Sequence, residues 1–118
     1  MEQKYGTFCE IFGCNPRNRI LEFFLEIRAM DFSTGDIAKE TGLTRATTYN
    51  TMEELIAQKY LIPTRKVSGS QLFKLNTEKN EVKFLIQIFN KILKDIVKDY
   101  DKEKAVYAVN HPSLTQGA

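Results

Sequence analysis

The stretch STGDIAKETGLTRATTYNTMEELIAQKY, residues Ser33 to Tyr60, decides how the chain folds. Its spacing predicts two helices joined by a tight turn. Ser33 can cap the first, with Asp36 three residues on to complete a capping box. Ile37 and Ala38 give that helix an apolar and a small contact face. Thr41-Gly42-Leu43 then ends it, because Gly42 can take the left-handed conformation that a helix end commonly needs. Thr44 follows as a second N-cap. From there Thr48, Met52, Leu55, Ile56 and Lys59 recur at helical spacing and form one face. Arg45, Ala46, Thr47, Asn50 and Glu53 point largely away from it.

A short helix, a glycine turn and a second helix that starts with small polar residues match the helix-turn-helix. The segment LTRATTYNTMEELIAQKYLI resembles the recognition helix and following strand of winged-helix transcriptional regulators, the broad group that includes ArsR, MarR and TrmB-like proteins. The resemblance covers roughly Ile11 to Asn76, and its flanks, IFGCNPRNRILEFFLE and TRKVSGSQLFKLN, are similar to small archaeal members. It implies a mainly α fold with a small β-hairpin. Position 48 departs from the pattern: Thr stands where the family usually has an apolar residue such as Val. Thr has nearly the shape of Val, but its hydroxyl must find a partner if buried. A bond back to the carbonyl one turn earlier would serve.

The rest of the chain fits one domain with an extension at an end, since 118 residues leave little room for more. Hydrophobic residues at 42% and charged residues at 27% suit a soluble chain with a modest core, which leaves room for further burial against a partner subunit. A net charge of +2 does not by itself point to nucleic acid, but its distribution does. From Thr44 to Lys74 stand five basic residues (Arg45, Lys59, Arg65, Lys66 and Lys74) against two acids, Glu53 and Glu54; the first 43 residues carry five basic and seven acidic side chains. Positive charge therefore gathers where DNA contacts would lie. Cys9 and Cys14 make neither a disulfide framework nor a complete zinc site. Two reduced, partly buried thiols are expected, the alternatives being a disulfide across that short separation or a metal shared between subunits. The opening MEQKYGTFCE is polar and mixed in charge, unlike a signal peptide. No apolar run approaches the ~20 residues of a membrane span. The expected location is the cytoplasm.

Residues Glu2 to Phe12 place Tyr5, Phe8, Ile11 and Phe12 at helix-like spacing, ending at Gly13. Asn15-Pro16 restarts the chain as N-cap and first helical residue. The helix through Arg28 carries a core stripe of Ile20, Phe23, Phe24 and Ile27, widened by Leu21 and Leu25. A stripe that wide is either simply well buried or has a second side for a partner subunit. Asp31 and Phe32 form a short extended link. Leu61 to Val67 and Gln71 to Asn76 read as two strands around Ser68-Gly69-Ser70, with Phe73 and Leu75 turned to the core. This hairpin would be the wing, with Arg65 and Lys66 near its tip to reach phosphates or a narrow minor groove. From Thr77 to about Lys104 runs a long amphipathic helix. Val82, Ile86, Phe89, Leu93, Ile96 and Tyr100 recur at alternating four- and three-residue steps, a heptad seam suited to pairing two copies. The chain thus divides into a winged-helix domain over residues 1–76, a dimerisation helix over 77–104, and an irregular tail over 105–118 that holds the one histidine, His111.

The function expected is that of a homodimeric, sequence-specific DNA-binding transcriptional regulator. The helix starting at Thr44 would enter the major groove. Arg45 suits guanine O6 and N7, and Asn50 suits adenine N6 and N7. Thr44 and Thr47 would touch phosphate or a thymine methyl, Ala46 would lie on the same face, and Tyr49 would bond a phosphate through its hydroxyl. Glu53 would accept from cytosine or orient Arg45. The alternative is a winged-helix protein-interaction module without specific DNA binding, in which these are ordinary solvated residues. No set of His, Cys or carboxylates at catalytic spacing and no glycine-rich phosphate loop stands in the sequence, so neither an enzyme nor a cofactor is expected.

Overall fold

The computed structural model describes residues 5–110, with side chains described through residue 103. The elements run α1 (Thr7–Phe12), α2 (Pro16–Glu26), β1 (Phe32–Ser33), α3 (Thr34–Thr41), α4 (Arg45–Ala57), β2 (Leu61–Val67), β3 (Ser70–Leu75) and α5 (Asn80–Asn110). The strands form one antiparallel sheet in the order β1-β3-β2, with Phe32 opposite Phe73 and Leu61 opposite Leu75. One core joins them. Ile20, Phe24 and Leu25 of α2, Ile37 of α3, Met52 and Leu55 of α4, Leu61 and Leu75 of the sheet and Val82 of α5 are all fully buried. Each such side chain contributes about 1.5–3 kcal/mol through the water it leaves. The wide stripe of α2 is consumed here, since Leu21 and Leu25 are buried within the same domain.

The local signals that set the helix ends are met in the structure. Ser33 Oγ accepts from Asp36 N at 3.2 Å while Asp36 Oδ2 accepts from Ser33 N at 3.3 Å, the reciprocal capping box. Gly42 lies at φ 74°, ψ 13°, the left-handed turn between α3 and α4. Thr44 Oγ1 accepts from Thr47 N at 3.2 Å. Asn15 caps α2 with Pro16 as its first residue. At the far end of α4, Tyr60 N donates to Leu55 O and Lys59 N to Ile56 O, the paired bonds of a Schellman motif. Lys59 takes the left-handed position there, at φ 66°. That turn swings it off the helix and into solvent, so it does not continue the core face that periodicity assigned to it.

Two features lie beyond periodicity. Glu22, inside the apolar run of α2, is 3% exposed. Its carboxylate accepts from Gly6 N at 2.6 Å and Cys9 N at 2.9 Å. Gly6 has no side chain to cap α1, so Glu22 caps it from the neighbouring helix, and the positive end of α1 stabilises the carboxylate in return. The second feature is the hairpin turn, which uses only Ser68 and Gly69, at φ 50° and 81°. Two left-handed residues match the twist of the flanking strands. Ser70 consequently pairs with Val67 and belongs to β3. Pro63 stands where the β2–β3 register shifts, on an edge strand that can spare its amide.

The long helix starts at Asn80, three residues later than its periodicity predicts, and continues past Lys104 to Asn110, into the stretch expected to be irregular. Its 31 residues span about 46 Å at the usual rise. Residues Glu2 to Lys4, expected in α1, and the tail with His111 lie outside the described residues.

Thr48 is fully buried, and its hydroxyl donates to Thr44 O at 2.7 Å, one turn back. Thr44 O also receives Thr48 N at 2.9 Å, so the carbonyl stays bonded without the hydroxyl. Thr48→Val is therefore expected to change the unfolding free energy by less than about 1 kcal/mol. Thr48→Ser deletes a buried methyl and should cost about 1 kcal/mol. Urea unfolding of the three proteins checks this; a Val variant less stable than the Ser variant would contradict it.

Candidate nucleic-acid interface

The two faces of α4 separate sharply. Thr48, Thr51, Met52 and Leu55 are buried against the core, while Arg45, Ala46, Tyr49, Asn50 and Glu53 are exposed and Thr47 is half-buried. The small residues at the start of the helix leave its backbone open to close approach. Thr44 is engaged twice: its hydroxyl accepts from Thr47 N and donates to Thr47 Oγ1 at 2.9 Å. The pair is held as one polar corner at the helix start.

Arg45 and Tyr49 share a groove of about 490 Å³ with the first residues of α3 and the turn end of the hairpin. Thr34 and Gly35 line it from α3, and Ser70 and Gln71 from the hairpin. Gln71 is fixed there, its Nε2 donating to Arg65 O at 3.1 Å and to Leu72 O at 2.9 Å. Ser70 and Gln71 carry no charge and sit in a strand, so only the folded sheet brings them beside α4.

Of the two cations on β2, Lys66 is exposed and opposite Gln71. Arg65 is tied down. Its Nε donates to Asp31 Oδ2 at 3.0 Å and its Nη2 to Asp31 Oδ1 at 3.2 Å, while Thr64 Oγ1 donates to the same Oδ2 at 2.6 Å. Asp31 precedes β1, so these bonds reach across β3 to β2. The Arg65 guanidinium, and then the Thr64 hydroxyl, hold the Asp31 carboxyl down at about 2, so it is ionised throughout the neutral range. Arg65, three residues before the Ser68–Gly69 turn, is thus near the tip as expected but is a paired side chain and not a free cation.

The seam on α5 divides in two. Val82 and Phe89 are buried in the domain's own core and Ile86 packs on it, whereas Leu93, Ile96 and Tyr100 are 45%, 46% and 62% exposed. Arg28 fastens α5 to the end of α2, with Nη2 donating to Asn90 Oδ1 at 2.9 Å. Ile92 still packs on the core, and beyond it the helix continues with apolar side chains exposed. Ile11 and Phe12 of α1 are also exposed.

Among the described residues no group of three or more His, Cys, Asp or Glu could hold a metal ion, and no helix is long and apolar enough to cross a membrane. Cys9 is buried and Cys14 exposed, both as free thiols. Burial, then the Glu22 charge and the neighbouring Cys14, push the Cys9 thiol up to about 12.

No protein-family model matches the chain, and no curated protein matches it. Solved structures do. The Staphylococcus aureus regulator MepR is similar over 90% of this chain and 84% of its own, with a TM-score of 0.56 at 20% identity. A possible transcriptional regulator from Methanosarcina mazei Go1 is similar over 80% and 82%, with a TM-score of 0.52 at 18% identity. The third is Mb0332 from Mycobacterium bovis, a homodimeric winged helix-turn-helix DNA-binding domain and a possible ArsR-family regulator. It is similar over 76% of this chain and 78% of its own, with a TM-score of 0.52 at 14% identity. The chain has the winged-helix fold of these transcriptional regulators.

The thiols give a direct check on the α1 packing. At pH 8 iodoacetamide should modify native protein once, at Cys14, because only a thiolate attacks and Cys9 is both buried and neutral. Cys9 should follow only in denaturant. Two modifications at similar rates in native protein would contradict the seating of α1 on α2.

Proposed function

We propose that the protein is a sequence-specific DNA-binding transcriptional regulator that acts as a homodimer. The observation that carries this reading is α4 itself. A helix buried along one side presents Arg45, Thr47 and Asn50 on the other, beside a groove that ends on the hairpin. That is the form a major-groove reader requires, since an α-helix fits the groove and side chains at its start reach base edges. Arg45 offers a guanidinium to guanine and Asn50 an amide to adenine. Thr44, Thr47 and Tyr49 serve the backbone, Ala46 allows close approach, and Lys66 reaches a phosphate from the hairpin. A mutant form of MepR is bound to an oligodeoxyribonucleotide, and Mb0332 is homodimeric; both facts support extending this use to a chain of the same fold. The exposed half of the α5 seam, Leu93, Ile96 and Tyr100, is the surface that a second copy would cover.

Arg45→Ala and Asn50→Ala should each reduce discrimination between the chosen site and random duplex by about 1–3 kcal/mol at one base-pair position, with smaller effects on random DNA. Competition binding with single-position site variants measures it. Equal losses on cognate and random duplex would remove both residues from base reading. Leu93→Glu should give a folded monomer, because Leu93 lies outside the core and an unpaired charge in an apolar seam is costly. Sedimentation beside the parent tests this. A parent already monomeric at micromolar concentration would contradict the dimer.

A further inference from the structure

Neither Asp31 nor Arg65 belongs to the buried core, yet their pair engages one of the two cations of β2. We infer that Asp31 is a built-in competitor for DNA phosphate, a counter-ion that holds Arg65 neutralised against the sheet and sets how strongly the hairpin grips the backbone. This inference rests on the DNA-binding reading above.

The geometry separates it from an incidental surface pair. Two parallel N–H bonds at 3.0 and 3.2 Å match the fork of a guanidinium to a carboxylate. The carboxylate side chain is only 18% exposed while that of Arg65 is 67% exposed, so the acid is fixed below and the cation lies above it. Thr64, the neighbour of Arg65 on β2, donates to the same carboxylate and fixes it further. Asp31 uses two of the five guanidinium N–H groups and leaves the others facing solvent. A phosphate can therefore reach Arg65 without rebuilding the hairpin, but it meets a pair with no net charge. Lys66, by contrast, has no ion pair among the described residues closer than the usual bridging distance. In the free protein β2 thus presents one uncompensated cation where its sequence contains two.

The consequence is measurable. Asp31→Asn keeps the shape of the side chain and removes its charge. One added cation facing the backbone should steepen the dependence of log K on log salt by about 0.9, equivalent to about five-fold tighter binding at 0.15 M salt. The gain should be the same for every duplex sequence and should depend on Arg65. The experiment is a double-mutant cycle, with parent, Asp31→Asn, Arg65→Ala and the double variant titrated against random and upstream duplexes over a salt series. Thermal unfolding of each variant confirms that it is folded, and Asp31→Ser replaces Asn if the latter is not. The inference holds if removing the carboxylate tightens binding only while Arg65 is present. An equal gain in both backgrounds would make Asp31 an ordinary repulsive charge and overturn it, as would no gain or a loss. Failure of every variant to bind any duplex would instead overturn the DNA reading itself, and this inference with it.

Discussion

The seating of α4 is the constraint on which the rest depends. Met52 and Leu55 fill the core while Thr48 sits fully buried between them and the helix start, its hydroxyl returned to the Thr44 carbonyl. A reader helix that rocked would lose the alignment that two-point hydrogen bonds to a base require. Gly42 sets its entry, Thr44 fixes its first turn, and the Schellman motif at Lys59 and Tyr60 fixes its end. Arg17 adds a cross-tie from α2, donating to Gln58 Oε1 at 2.6 Å and lying 4.6 Å from the Tyr60 ring. Each device acts on the backbone or the buried side. The outward face is left free to vary.

The same division of labour runs through α5. Its first half is part of the core, through Val82 and Phe89, so its direction is fixed by the domain. Its second half carries that direction away from the domain with Leu93, Ile96 and Tyr100 uncovered. Pairing of two such helices would set two copies of α4 at a defined separation, and two reader helices need about 34 Å, one DNA turn. The second contact would then be effectively intramolecular, which raises affinity without new chemistry.

Local signals were legible in the sequence because each is a short-range bond. Ser33 and Asp36, Gly42, Thr44, and Asn15 with Pro16 all act within three or four residues of themselves, and all are found in those roles. The outward placement of Arg45, Ala46, Asn50 and Glu53 follows from the same periodicity, while Thr47, expected on that face too, is half-buried. What spacing alone does not carry is contact between distant segments. Glu22 caps a helix 13 residues away, and Asp31 holds an arginine 34 residues away across an intervening strand. Neither can be read before the elements are assembled. The heptad on α5 shows the limit from the other side: one continuous pattern serves two different partners, the domain core first and solvent-exposed surface after it.

Binding of duplex DNA through α4 and the hairpin is what every functional role proposed for these residues requires. A salt series of binding to a duplex from the protein's own upstream region, beside a random duplex, tests it most directly. For both, log K should fall linearly with log salt, by about 0.9 for each phosphate neutralised, with the upstream duplex bound more tightly throughout. Binding of neither duplex at low salt would contradict it.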